Sequence, residues 1–382
     1  MSELRLQAIE QIAEIDAPLW DALVEASGGS VLSRHAFLHA FESSASVTPT
    51  TGWQPRHLLL WEDKTLVAAI PLYAKGHSYG EFVFDWAWAD AYQRNGLEYY
   101  PKWLTAIPFT PVPGARLLTT APYRELAAAA LLQWAKKSGL SSLHVLYTTP
   151  EDTEALLNAG CMRRTHTQFH WFNRNWADFE TFLASLTQPK RKKIRAERRK
   201  VREAGITTQV RTGAQLTEED WTVFYRCYAN TYHVRGNTPY LTPAFFKTVS
   251  ETLAEHCVMA LAYRNAQPIA ASLLWLDTVD GKRKLYGRYW GALEHVDCLH
   301  FELAYYTPLE WALANQIDVV EGGAQGEHKL ARGFEPVQTQ SAHWLAHPSF
   351  ADAVEKFLAR ERAGVDQYLG SLSSPFKGEI GD

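Results

Sequence analysis

The 382-residue chain carries 38 Lys and Arg against 42 Asp and Glu, a net charge of −4, with 46% hydrophobic residues and 14 Trp. That length and apolar content suffice for a large buried core and point to two domains, while the slight acidity argues against a general nucleic-acid binder, whose footprint is a basic domain. The opening MSELRLQAIEQIAEID has no apolar h-region and no stretch reaches the roughly 18 apolar residues of a membrane span, so a cytoplasmic protein without membrane insertion is expected. Four scattered cysteines (Cys161, Cys227, Cys257, Cys298) form no CxxC pair, which argues against a disulfide framework and a structural zinc site.

In chain order, APLWDALVEA around Trp20 reads as a leading helix, and residues 55–74 as strand, tight turn, strand. EFVFDW (81–86) reads as a third strand, LEYYPKWLTAI (97–107) as an aromatic helix and LHVLYT (143–148) as a further strand, before a helix ending LLNAGCMRR (156–164). The stretch from Lys190 to Arg202 then places nine Lys or Arg in thirteen residues. Thr187 as cap, Pro189 in the first turn and Gly205 beyond the end mark a helix over 189–204. On it Arg191, Arg195, Arg198 and Arg202 fall within about 60° of one another, beside an apolar seam of Ile194, Val201 and Ala204. An arginine stripe suits carboxylate or phosphate partners at the edge of a cleft; a solvated charged helix is the competing reading.

The remainder repeats the first order at an offset of about 200 residues. EEDWTVFYRCY around Trp221 matches the leading helix, 257–276 the hairpin, KLYGRYW (284–290) the third strand, 300–316 the aromatic helix, IDVVEG (317–322) the next strand and KLARGFEPV (329–337) the last helix end. The expected architecture is therefore α/β, a tandem duplication of one unit with two mixed sheets flanked by helices. The halves are placed at 1–173 and 174–370, with a polar, frayed tail at 371–382. A helix over 349–369 is expected to pack its apolar face on the second half.

The element order matches the GNAT acyltransferase fold. The segments KRKKIRAERRKVREAGI, GNTPYLTPAFF, KLYGRYWG, LHFELAYYTPLEWA and EGGAQGEHKLARGFEP, with HSYGEFVFDWAWADAY in the first half, resemble the FemAB-like family of predicted N-acyltransferases, linked to peptidoglycan biosynthesis and recognition. The resemblance spans about residues 30–365. It implies two GNAT-like halves, with acyl-CoA or aminoacyl-tRNA as donor and a small-molecule or peptide amine as acceptor. The GNAT pyrophosphate loop is missing from GALEHVDCLHFE (291–302), and Lys329 stands where a tyrosine often protonates the leaving group. The matching place in the first half is Leu156, which puts the chemistry in the second.

Acyl transfer to an amine needs a base, a place for the oxyanion and a proton for the leaving group. Glu321 is the leading base, at a strand end before Gly322 and Gly323, where open α/β sheets gather ligand groups; Glu327 is its alternative. His328 and Lys329 complete the catalytic candidates. Gly287 interrupts an aromatic strand in the manner of a bulge, with Tyr286, Arg288 and Trp290 on one face. By resemblance this strand lies along the donor, so Gly287 and Arg288 are donor-binding candidates. Arg191, Arg195 and Arg198 are expected to hold donor phosphates at the cleft between the halves, in place of the missing loop. Tyr79, Asp85, Trp86 and Asp90 in the first half, with Tyr286, are acceptor candidates, because so many polar groups among aromatics need partners. His295, Asp297, Cys298 and His300 match no metal-ligand spacing, and no metal is assigned. The alternative function is a catalytically silent module that binds an anionic ligand such as a cell-wall precursor or RNA.

Overall fold

The structure, a computed structural model, describes residues 3–324 and 326–378. It divides into two compact units, Met1–His166 with Gln338–Gly370, and Thr167–Val337 with Ser371–Asp382.

The first unit opens with β1 (Leu4–Ile9), α1 (Ala17–Ala26), α2 (His35–Ser43), β2 (Trp53–Pro55), the hairpin β3 (His57–Glu62) and β4 (Thr65–Ile70), and β5 (Tyr73–Lys75). It continues through α3 (Trp86–Arg94), β6 (Lys102–Thr105), β7 (Leu118–Thr119), α4 (Arg124–Ser138), β8 (Ser142–Thr148) and α5 (Pro150–Ala159). Strand β9 (Met162–Phe172) leads into the second unit, with α6 (Phe179–Ser185), the basic helix α7 (Gln188–Glu203), β10 (Ile206–Thr212), α8 (Glu218–His233) and α9 (Pro243–Thr252). There follow β11 (Cys257–Arg264), β12 (Gln267–Val279), β13 (Lys282–Ala292), the short α10 (Leu299–Phe301), a π-helical turn (Glu302–Tyr306), α11 (Thr307–Ala314), β14 (Val319–Glu321) and a 3-10 segment (Glu327–Arg332). The chain returns by β15 (Glu335–Leu345) and ends in α12 (Pro348–Ser371).

In the first unit β1-β3-β4-β7 form one antiparallel sheet, and β15-β8-β6-β5-β2 run side by side; in the second the order is β10-β11-β12-β13-β14-β9. Each unit contains a parallel pair, β6 with β8 and β13 with β14, each joined by a crossover that contains a helix. The fold is thus the expected mixed α/β duplication. Leu58, Val67, Leu131, Val145 and Leu156 lie in the first core, and Trp171, Phe182, Leu274, Leu309 and Phe334 in the second.

Five expectations are corrected. Residues 81–86 form no strand; Asp85 instead precedes α3. Residues 97–107 form no helix, because Pro101 biases Tyr100 toward extended backbone and Lys102–Thr105 is buried along its whole length as β6. The repeat therefore aligns β6 with β13 and β8 with β14, and β8, SLHVLYT, carries no carboxylate to match Glu321. Helix α12 packs in the first unit, with Val354 and Leu358 against Trp88, Tyr92 and Tyr99, since β15 has already paired with β8 before α12 begins. The described part of the tail is anchored rather than frayed. Phe376 is buried, stacks on Trp176 at 5.6 Å and bridges Leu186. The units divide at His166/Thr167, inside β9, not at 173.

Candidate functional site

Strand β13 is interrupted where the sequence places Gly287. Against β12, Leu273 pairs with Tyr289 but Leu274 with Gly287, so Arg288 is an extra residue and the strand bulges. A Cβ at Gly287 would come 3.3 Å from the Glu321 carbonyl oxygen, closer than most side chains tolerate, so glycine lets β14 approach. Beyond the bulge Tyr289 packs on Tyr228 and Phe246, while Trp290 packs on His300. Beside it opens a cavity of about 140 Å³, lined among others by Gly287, Arg288, Trp290, His300, Tyr305 and Glu321.

Glu321 ends β14, opposite Tyr286 on one side and His170 on the other. It is 6% exposed, and among the described residues its Oε2 has no hydrogen-bond partner. Burial pushes its carboxyl up to about 7, against a small opposing pull from Lys284. The nearest imidazole gives it no cation: His170 Nε2 lies 3.8 Å away, but burial lowers that ring to about 3 and leaves it neutral. A buried carboxyl poised near neutrality in a cavity is the state a general base needs.

Lys329 lies on the 3-10 segment and is 2% exposed. Its Nζ donates to the Gly323 carbonyl at 3.0 Å, and its stem runs so close to Gly322 that a Cβ there would meet it at 3.0 Å. Burial, then the Arg288 charge, lowers the amine to about 8. The glycine pair thus wraps Lys329 into the turn that carries Glu321. His328 Nε2 lies 3.0 Å from the Tyr305 hydroxyl, and Glu327 is exposed. Tyr286 is buried beside Glu321, its phenol raised first by burial and then by that carboxylate.

The basic helix forms as read, over Gln188–Glu203 with Gly205 at φ 73°. Its arginine stripe is largely committed within the second unit. Arg191 donates to the Ala184 and Leu186 carbonyls, Arg195 pairs with Glu180 at 2.6 Å, and Arg198 pairs with Glu302 and Glu310 while lying over Phe179. Lys192, Lys193, Lys200 and Arg202 are exposed. Because the Arg195–Glu180 pair is more than half exposed on both sides, Arg195→Ala is expected to change unfolding free energy by at most about 1 kcal/mol in a urea titration.

In the first unit Tyr79 and Trp86 are exposed, with ring centroids 5.0 Å apart, and Asp90 pairs with Arg94 along α3. Asp85 turns inward. Fully buried Lys102 donates to Glu81 and Ser78, each at 2.8 Å, and to Asp85, which also accepts from the Tyr99 hydroxyl at 2.7 Å. Asp85 is thus part of an internal network, apart from the exposed Tyr79, Trp86 and Asp90. Among the described residues no group of three or more His, Cys, Asp or Glu is placed to hold a metal ion, and no helix is long and apolar enough to cross a membrane.

Residues 11–378 match the FemAB-like family, described by peptidoglycan biosynthesis and recognition. The chain belongs to the FemAB-like family. Among solved structures it is similar to FemX, at 12% identity over 90% of this chain and 98% of that one, with a TM-score of 0.53. It is also similar to L-PGS from Bacillus licheniformis, at 10% identity over 90% and 97%, with a TM-score of 0.53. No curated protein sequence matches significantly. Two residues of the candidate site carry no mark in the sequence. His170 reaches Glu321 only through the pairing of β9 with β14, and Tyr305 enters the cavity from the π-helical turn. Neither leaves a local sequence signal.

Proposed function

We propose that this FemAB-like chain transfers an acyl or aminoacyl group from a phosphate-bearing donor to an amine on a small molecule or peptide, at the cavity beside the β13 bulge. The observation that carries this is Glu321, which lines that cavity and whose buried carboxyl has an oxygen with no hydrogen-bond partner among the described residues. As the amine nitrogen bonds to the acyl carbon, Glu321 takes its proton. Arg288, which lines the cavity, supplies positive charge for the developing oxyanion. The bond from the acyl carbon to the leaving oxygen or sulfur then breaks, and protonated Lys329 returns a proton to the leaving group.

The donor phosphates need a place other than the turn after β13. That turn carries Glu294 and Asp297, which oppose a pyrophosphate. The exposed cations of α7 suit a polyanion, which favours an aminoacyl-tRNA over acyl-CoA. Thermal melting with free CoA, several acyl-CoAs and charged tRNA tests this, because a ligand of the native state raises its melting temperature. Charged tRNA is expected to give the shift, and Lys192→Ala/Lys193→Ala and added salt to reduce it. A shift with acyl-CoA that survives both changes would transfer the role to CoA. Binding with no amide formed would leave an anion-recognition module.

The acid–base pair sets the pH profile. The base must be ionised, so turnover rises through about 7. The acid must keep its proton, so turnover falls above about 8. The expected curve of kcat against pH is a narrow bell, and a flat profile from pH 6 to 9 would contradict these roles.

A further inference from the structure

Glu197 is the one acidic residue between Lys190 and Arg202, and it turns inward, 8% exposed. Its carboxylate accepts two bonds from Arg332 Nη2, at 3.0 and 2.8 Å, and a third from the Tyr306 hydroxyl. Arg332 is 1% exposed, lies 3.5 Å from the Phe301 ring centroid and donates through Nη1 to the His328 carbonyl at 2.7 Å. One side chain thus joins α7 to the 3-10 segment and grips the backbone immediately before Lys329.

Stability alone is a poor reason for such a pair. Two desolvated charges often do no better than apolar residues of the same volume, and well-packed replacements can be more stable. Apolar replacements would fill the space, but they would not hold the His328 carbonyl. Nor would they hold the segment against the Gly322–Gly323 turn, where Lys329 makes its bond to Gly323.

We propose that Glu197 and Arg332 are positioning residues, kept as a buried ion pair to hold the 3-10 segment so that Lys329 stays enclosed against the Gly322–Gly323 turn. The basic helix therefore serves the site through its one inward-facing acid as well as through its cations. The catalytic meaning of the clamp rests on the transferase reading, whereas the clamp itself is a statement about the surroundings of Lys329.

The test is competitive labelling of the intact protein with acetic anhydride from about pH 6 to about pH 11, with Lys329 followed by peptide mass spectrometry. Wild type is compared with Glu197→Leu/Arg332→Met and with Glu197→Gln. The double variant is expected to melt close to wild type, yet to label Lys329 about tenfold faster through local opening. Its labelling midpoint is expected to move up from about 8 toward the ordinary 10.5. Glu197→Gln, which keeps an acceptor for Arg332, is expected to fall between. A folded double variant with wild-type rate and midpoint at Lys329 would overturn the proposal. Should the double variant not fold, Glu197→Gln decides alone: faster labelling supports the clamp, and unchanged labelling sinks it. No donor or acceptor enters this measurement, so its failure is distinct from a failure of the transferase reading, which loss of transfer in Glu321→Gln tests separately.

Discussion

Glu321→Gln is expected to lower the transfer rate by about 10²- to 10⁴-fold while making the protein more stable at neutral and alkaline pH. The amide fills the same space but cannot take a proton from the amine. The stability gain follows from the raised carboxyl. Its value is about 7 in the fold against an ordinary 4.5, so the folded state holds its proton more tightly than the unfolded chain. Ionising Glu321 therefore costs nothing below about pH 4.5, costs progressively more up to about 7, and stays constant above. At about 1.4 kcal/mol per pKa unit the full difference is about 3 kcal/mol, an upper figure because the unfolded chain is compact and adjustable. Thermal melting of both proteins at pH 4.5 and pH 8 checks it: the curves should coincide at the acid end and separate at the alkaline end, with the variant higher. A variant that melts lower at pH 8 would show that Glu321 is held ionised by a partner.

The largest loss of stability is expected from Lys102→Met. Lys102 is fully buried and neutralises two buried carboxylates, Glu81 and Asp85. Burial opposes ionisation of Asp85, but Lys102 and then His144 outweigh it and hold that carboxyl below its usual range. Glu81 responds the other way, raised by burial to about 7 despite Lys102. Lys75 also acts on both, but burial has lowered its amine to about 7. Removing Lys102 leaves buried charge without its partner, a change of about 3–5 kcal/mol. Urea unfolding at pH 8 reads it directly. The loss should shrink as pH falls, because protonation of the two carboxyls removes the uncompensated charge. Replacing the cluster together, Lys102→Met/Glu81→Leu/Asp85→Asn, should recover most of the loss. Equal destabilisation by the single and triple variants would assign the effect to packing.

Much of the second unit was legible because its signals are local. Asn265 and Ala266 take positive φ in the tight turn between β11 and β12, Gly287 sits at the bulge, and Glu321 closes a short apolar strand before two glycines. The first unit misled the reading where aromatic residues fit either period. LEYYPKWLT satisfies a helical pattern, and only pairing of Lys102–Thr105 with β5 and β8 makes it a strand. The arginine stripe was read correctly as a helix face, yet its partners, Glu180, Glu302 and Glu310, come from elements that sequence spacing cannot bring together. Glu197 was legible only as one charge in a run, since its inward orientation depends on Arg332, far along the chain. The anchoring of Phe376 was hidden by the polar residues around it.

The central claim is that the cavity beside the β13 bulge holds a base poised near neutrality. Carboxyl ¹³C NMR titration of glutamate-labelled protein, with the Glu321 resonance assigned by its absence in Glu321→Gln, measures this without any substrate. A midpoint near 7 is the predicted result. A midpoint near the ordinary 4.5 would mean that the carboxyl is ionised and partnered throughout the working range, and would contradict its role as the base.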